Sequence, residues 1–227
     1  MSTRPLSARR DPGYTGLTGA VGTLPSPWYF DPAHYRQELS RIWYRHWIYA
    51  CRSADIASPR SFQTLEVGDQ SVVLVRGEDG IARAFHNACR HRGAMLCRER
   101  AGRLPAAGIV CPYHAWRYNL KGELVQTSSK AHGEGFALQD FPLYGLPVTE
   151  WNGFLFTALT ASPPPFSASF DLPLNRLDDW RLGDLVVGHR LTKTIRSNWK
   201  VFWENYNECL HCPGVHPRLA QLVPIYG

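Results

Sequence analysis

The chain has 227 residues, 44% of them hydrophobic and 12% aromatic, with a formal net charge of +6. This balance excludes a disordered polypeptide and leaves room for one large or two small domains. No apolar run approaches the ~18 residues of a membrane span, and Arg9-Arg10 lacks the apolar segment of an export signal, so a soluble, cytoplasmic protein is expected.

Residues 1–26, rich in Gly, Ser, Thr and Pro, read as a flexible arm. Asp31-Pro32 then opens a helix with Pro at its first position, and Tyr35, Leu39, Ile42 and Trp43 recur at helical spacing. This helix and its lead-in occupy 27–60. From about Ser61 the period shortens to two. Val72–Val75 and Ile81–Phe85 are apolar runs joined across Glu78-Asp79-Gly80, which predicts a hairpin. Ile109-Val110 enters and Trp116–Asn119 leaves a short loop, and Val148–Trp151 and Phe154–Thr157 flank the turn dipeptide Asn152-Gly153. Residues 61–160 thus read as a small all-β domain. Ser162-Pro163-Pro164-Pro165 interrupts it and marks a Pro-rich linker over 161–170. Beyond it, 171–227 opens with strand-like Leu185–Ile195. A helix then runs from Trp199 to about His211, with Ser197 or Asn198 as its cap, and Pro213-Gly214 breaks it.

The chemistry is concentrated in two loops of the β domain. Cys89 and His91 stand as Cys-x-His in the first, Cys111 and His114 as Cys-x-x-His in the second, with 19 residues between His91 and Cys111. A [2Fe–2S] cluster with two Cys on one iron and two His on the other needs this composition. Neutral imidazole in place of negative thiolate makes the second iron easier to reduce. A structural zinc takes the same four residue types, but zinc modules pair Cys with Cys and His with His within a loop. The words Cys89-Arg90-His91-Arg92-Gly93 and Cys111-Pro112-Tyr113-His114-Ala115-Trp116 match the Rieske cluster pattern. Arg90, Arg92, Arg98, Arg100 and Arg103 crowd the first loop in a chain with only four Lys. They form a solvated basic face or a docking surface for an acidic redox partner. No nucleic-acid reading module accompanies them. Cys51, Cys97, Cys209 and Cys212 show no secreted disulfide pattern.

A second constellation lies beyond the linker. Glu208 and His211 are three apart and share a helix face; His211 and His216 are five apart and on an unbroken helix would splay by about 140°. A turn at Pro213-Gly214 would bring the imidazoles together as two members of a 2-His-1-carboxylate set for Fe(II). Cys209 and Cys212 also offer a Cys-x-x-Cys pair, with small buried Cys as the plainer reading.

Taken together, the two loops, Pro27-Trp28-Tyr29-Phe30-Asp31, Trp47, Asn198-Trp199-Lys200 and the Glu208/His211/His216 segment resemble the α subunits of Rieske non-haem iron oxygenases. The resemblance runs from about Pro27 to the end. Glu208 within Asn205–Cys212 is closest to the branch acting on quaternary ammonium substrates such as glycine betaine, carnitine or stachydrine. It implies an α+β protein: an N-terminal Rieske all-β domain followed by the start of a helix-grip-type catalytic domain. It implies Cys89, His91, Cys111 and His114 as cluster ligands, His211 and His216 as ligands of mononuclear Fe(II), and Glu208 as the carboxylate bridging histidines of the two centres. The partners implied are an NAD(P)H-dependent reductase or ferredoxin, O₂ and a small organic substrate, with a homotrimer at full length. The family's third iron ligand is a downstream Asp. The chain stops eleven residues past His216, so an incomplete catalytic domain is expected, with a non-catalytic electron carrier or inactive fragment as the alternative.

Overall fold

The computed structural model describes residues 22–128, 133, 135–169, 174–207 and 211–223, with the backbone alone at Arg176. The fold is α+β and divides into two compact units, one of residues 37–190 and one formed by the segments before 37 and after 190. The expected flexible arm lies almost wholly outside the described residues.

The larger unit carries every strand found among the described residues. In chain order these are β1 (Ile48–Arg52), β2 (Ser61–Val67), β3 (Gln70–Arg76), β4 (Ala82–His86), β5 (Ala101–Arg103), β6 (Ile109–Val110), β7 (Arg117–Tyr118), β8 (Leu124–Gln126), β9 (Gly145–Leu146), β10 (Val148–Trp151) and β11 (Phe154–Thr157). They form an antiparallel five-stranded sheet β5-β2-β3-β4-β9 and two three-stranded sheets, β1-β11-β10 and β6-β7-β8. The strand β3 is central in its sheet. Val72, Val73, Leu74 and Val75 are all fully buried. Alternate side chains feed two cores: Val73 and Val75 pack with Phe62, Phe85, Ile109 and Tyr118, whereas Val72 and Leu74 pack with Cys51, Ile56 and Leu155. A strand covered on both faces shows no polar alternation, which is why it reads as a continuous apolar run.

The turns obey their local chemistry. The β3–β4 hairpin closes through Gly80, whose φ of +75° and N–H bond to the Gly77 carbonyl make the reversal. Ile81, read as the start of a strand, stays outside β4 and is exposed. Asn152 and Gly153 both take positive φ (+48° and +75°), the pairing that a two-residue hairpin of matching twist requires. The proline run is not a free spacer. The Trp47 indole donates to the Pro164 carbonyl at 2.8 Å, and Phe166 packs against Trp47 and Phe156, which lashes the segment to the β1-β11-β10 sheet.

The smaller unit contains α1 (Pro27–Phe30) and most of α2 (Pro32–Glu38), then α3 (Trp199–Asn207), α4 (Cys212–Val215) and α5 (Pro217–Leu222). Asp31 caps α2 and Asn198, one of the two expected candidates, caps α3: Asp31 Oδ1 accepts from the Ala33 N–H at 2.7 Å, and Asn198 Oδ1 from the Lys200 N–H at 3.1 Å. After α2 a π-helical turn, Leu39–Trp43, shifts the helical register. Leu39 is buried, while Tyr35 and Ile42 are exposed. Two expectations fail here. Leu185–Ile195 forms no strand, because no described segment pairs with it and its apolar side chains lie exposed. Nor does Pro213-Gly214 break a helix. Pro213 sits in the first turn of α4, where its missing N–H costs nothing.

Asn87 links the five-stranded sheet to the first metal loop. It is buried, and its side chain donates to the Cys97 carbonyl (2.7 Å) and accepts from the Cys97 N–H (2.8 Å), pinning both ends of the segment after β4. Asn87→Ala leaves both backbone groups unsatisfied in a buried site, so a loss of about 2–4 kcal/mol is expected in urea denaturation.

Candidate metal centre

Two loops at the edges of these sheets adopt the same backbone shape. In the first, the Cys89 N–H bonds to the Ala94 carbonyl and the Gly93 N–H to the Cys89 carbonyl, both at 2.9 Å. In the second, the Cys111 N–H bonds to the Trp116 carbonyl at 2.8 Å and the Ala115 N–H to the Cys111 carbonyl at 3.0 Å. In both loops the residue four beyond the cysteine turns left-handed, at φ +68° for Gly93 and +52° for Ala115. Each loop therefore presents one thiol and one imidazole from a closed turn.

The loops meet through side chains. Tyr118, fully buried on β7, has its hydroxyl 3.3 Å from Cys89 Sγ and accepts the Arg90 N–H at 3.1 Å. The rings of His91 and His114 lie 4.8 Å apart between centroids. The indole of Trp116 stacks on His91 at 4.8 Å and 7°, and the Tyr113 ring leans on His114 at 3.8 Å. Cys89 and Cys111 are buried at 3% exposure each, whereas His91 is exposed and His114 half-buried. Thiols thus face inward and imidazoles face the surface.

Among the described residues, no three His, Cys, Asp or Glu side chains gather round one point as a single ion requires. The four groups could instead hold two irons, the thiols one and the imidazoles the other. His114 Nδ1 is buried with no hydrogen-bond partner, the state of a nitrogen awaiting a metal bond. Burial pushes the Cys89 thiol up, with Cys111 adding to it and the Tyr118 hydroxyl opposing. Desolvation, the neighbouring His114 and Arg92 hold His91 below the usual imidazole range, which favours the neutral form a ligand imidazole needs. Of the surrounding arginines, Arg90 is folded back, its guanidinium 4.0 Å over the Tyr144 ring and donating to the Pro142 carbonyl. Arg92, Arg98, Arg100 and Arg103 are exposed.

In the smaller unit, α4 brings His211 and His216 together. They flank its single turn, with the Val215 N–H bonded to the His211 carbonyl and the ring centroids 5.5 Å apart. Five residues on, a helical turn with an altered C-terminus (His216 at φ −127°, ψ 57°) closes the angle that a straight helix would leave open. These two imidazoles could supply two positions to one metal. Glu208, Cys209 and Leu210 lie outside the described residues, and with them the carboxylate expected to bridge the centres. Tyr118 was missed by reading the sequence, since nothing in a lone Tyr on a two-residue strand signals a bond to a cysteine 29 positions earlier.

A β domain presenting two such loops from adjacent hairpins is that of a Rieske iron–sulfur protein. Residues 46–142 match the model of the Rieske [2Fe-2S] domain and 182–226 that of the ring hydroxylating alpha subunit catalytic domain. The glycine betaine monooxygenase oxygenase subunit of Chromohalobacter salexigens is 36% identical over 95% of this chain and 48% of its own length. The carnitine monooxygenase oxygenase subunit of Escherichia coli K12 is 31% identical over 89% of this chain and 54% of its own. Among solved structures, the quaternary ammonium Rieske monooxygenase CntA in complex with L-carnitine superimposes with a TM-score of 0.81 at 31% identity, covering 88% of this chain and 57% of that one. The chain belongs to the α subunits of Rieske non-haem iron oxygenases, and it spans about half the length of the curated relatives it matches. Its cofactors are those of that family, a [2Fe–2S] cluster and mononuclear Fe(II).

A hydrogen bond to a ligand thiolate withdraws electron density from the cluster and raises its potential. Tyr118→Phe keeps the packing and removes the hydroxyl. The reduction potential is expected to fall by on the order of 50 mV, about a tenfold change in a one-electron equilibrium. Protein-film voltammetry reads this directly.

Proposed function

We propose that Cys89 and Cys111 ligate one iron of the [2Fe–2S] cluster and His91 and His114 the other. His211 and His216 then ligate the mononuclear Fe(II), and Glu208 positions a ligand imidazole between the centres. The observation that carries the reading is the separation of one site into a buried thiol pair and an outward imidazole pair. When bound, the cluster supplies one-electron transfer and the Fe(II) supplies O₂ activation. The chain's own residues perform the rest. Tyr118 and the two closed turns hold the thiolates, and Trp116 and Tyr113 hold the imidazole planes. The exposed imidazole edge would leave the least protein between a bound cluster and an electron donor.

The resulting activity is O₂-dependent hydroxylation or demethylation of a small organic substrate, fed by an NAD(P)H-dependent reductase or a ferredoxin. The relatives named for glycine betaine and carnitine favour a quaternary ammonium substrate, whose oxidation next to nitrogen leads to demethylation or C–N cleavage. A homotrimer in the cytoplasm completes the reading. No helix among the described residues is long and apolar enough to cross a membrane. The matches to oxygenase subunits on both sides of the proline run favour an oxygenase over an electron carrier without catalysis.

Iron and acid-labile sulfide analysis should return two of each per chain for the cluster, with a Rieske EPR signal on reduction. His114→Ala is expected to abolish that signal; an unchanged spectrum would remove His114 from the ligand set, and zinc in place of iron would end the cluster assignment. In a protein that carries the whole catalytic domain, Glu208→Ala should keep both metals but slow single-turnover reoxidation of the cluster, with Glu208→Asp restoring it in part. Loss of the mononuclear iron with unaltered transfer would make Glu208 a ligand instead.

A further inference from the structure

Two buried arginines stand apart from the metal centre. Arg52 ends β1 and Arg76 ends β3, and they are only 8% and 7% exposed. Arg52 donates to the carbonyls of Asn152 (3.3 Å), Leu182 (2.8 Å) and Leu185 (3.1 Å), and its guanidinium lies 4.2 Å over the Phe154 ring. Arg76 donates to the carbonyls of Ile56 (2.9 Å), Gly80 (2.8 Å) and Ser53 (3.3 Å) and to the Ser53 hydroxyl (2.8 Å). All these acceptors are neutral. Among the described residues neither guanidinium forms an ion pair. The Asp55 carboxylate nearby is taken by Arg190 at 3.0 Å and by the Arg52 backbone N–H at 3.1 Å.

Both arginines line an open cavity of about 470 Å³, and among the described residues that line it the one carboxylate is the exposed Glu150. The lining therefore carries two cations against one anion. Burying a cation among carbonyls satisfies its hydrogen bonds but does not neutralise it, and the cost of desolvation remains. Each guanidinium has five N–H donors in a planar fork. Among the described residues Arg52 Nε donates to no protein group, and Nη1 of each arginine makes one bond where it has two hydrogens to give, so some donors are left for a ligand. Forked donors with a surplus positive charge and a cavity in front of them suit a carboxylate or phosphate oxyanion.

We propose that this cavity is an oxyanion site, filled by a small phosphate- or carboxylate-class anion that supplies the missing charge and braces β1 and β3 against the Leu182–Leu185 segment. The site is independent of the metal centres, so the test does not depend on the oxygenase reading.

The experiment is thermal unfolding of the cluster-loaded chain in inorganic phosphate, and separately in acetate, at ionic strength held constant with chloride. Saturating phosphate is expected to raise the midpoint by roughly 5 °C. A response to acetate alone would assign the site to carboxylates, and a response to phosphate alone to phosphates. Arg76→Gln should abolish the shift. Ala54→Glu, an exposed position on the cavity wall in the first turn of a short 3₁₀ helix, places a carboxylate in the cavity without disturbing the arginines. It should raise the midpoint in chloride and erase the anion response, and it decides the matter if Arg76→Gln does not fold. A midpoint indifferent to both anions overturns the proposal. So does a shift that survives unchanged in Ala54→Glu, which would place the anion elsewhere.

Discussion

The hydroxyl of Tyr118 is the point on which the metal centre depends. It lies in the core of the larger unit, in contact with Cys89 Sγ and with the Arg90 N–H, so it joins the strand leaving the second loop to the first loop. Without that link the two loops are separate turns on separate sheets. With it, a 22-residue separation between Cys89 and Cys111 collapses into one pocket of thiols. Desolvation raises the Tyr118 hydroxyl, with Cys89 adding to the effect, so the phenol stays protonated and can donate.

The rest of the site is a gradient of polarity laid over that link. The thiols sit at the core, beside Leu96, Ile109 and Leu124, where a low dielectric strengthens their interactions. The imidazoles lie outside, each steadied by an aromatic ring from the second loop. A cluster held by these four side chains would be shielded on the thiol side and open to solvent on the imidazole side. The basic side chains near the first loop are unequal in this. Arg90 is spent on the Pro142–Tyr144 segment, leaving Arg92, Arg98, Arg100 and Arg103 to face solvent.

The β3 strand shows how the same chain solves two packing problems at once. Its four buried residues divide between a core that supports the metal loops and a second core against β1 and β11. The same strand ends in Arg76, whose bonds to the 53–56 turn tie the second core to the β3–β4 hairpin. A charged group in that position is costly unless it is well bonded, and it organises three segments in return.

How much of this was legible in the sequence depends on whether the signal was local. The paired words Cys-x-His and Cys-x-x-His specified ligand types, the Asn152-Gly153 and Gly80 turns specified hairpins, and Asp31 and Asn198 specified helix starts, because each acts within four residues of itself. Pro213-Gly214 misled for a related reason: the same dipeptide that ends one helix also begins another, and only the surrounding backbone chooses. Leu185–Ile195 misled because a strand is defined by its partner and not by its own apolar content. What the sequence by itself determined was the set of candidate ligands and the β character of the domain that presents them. The tertiary structure alone decided that thiols face in and imidazoles out, that Tyr118 closes the pocket, and that two arginines share a cavity. Those are contacts across 23 to 133 residues of chain, for which no local pattern exists.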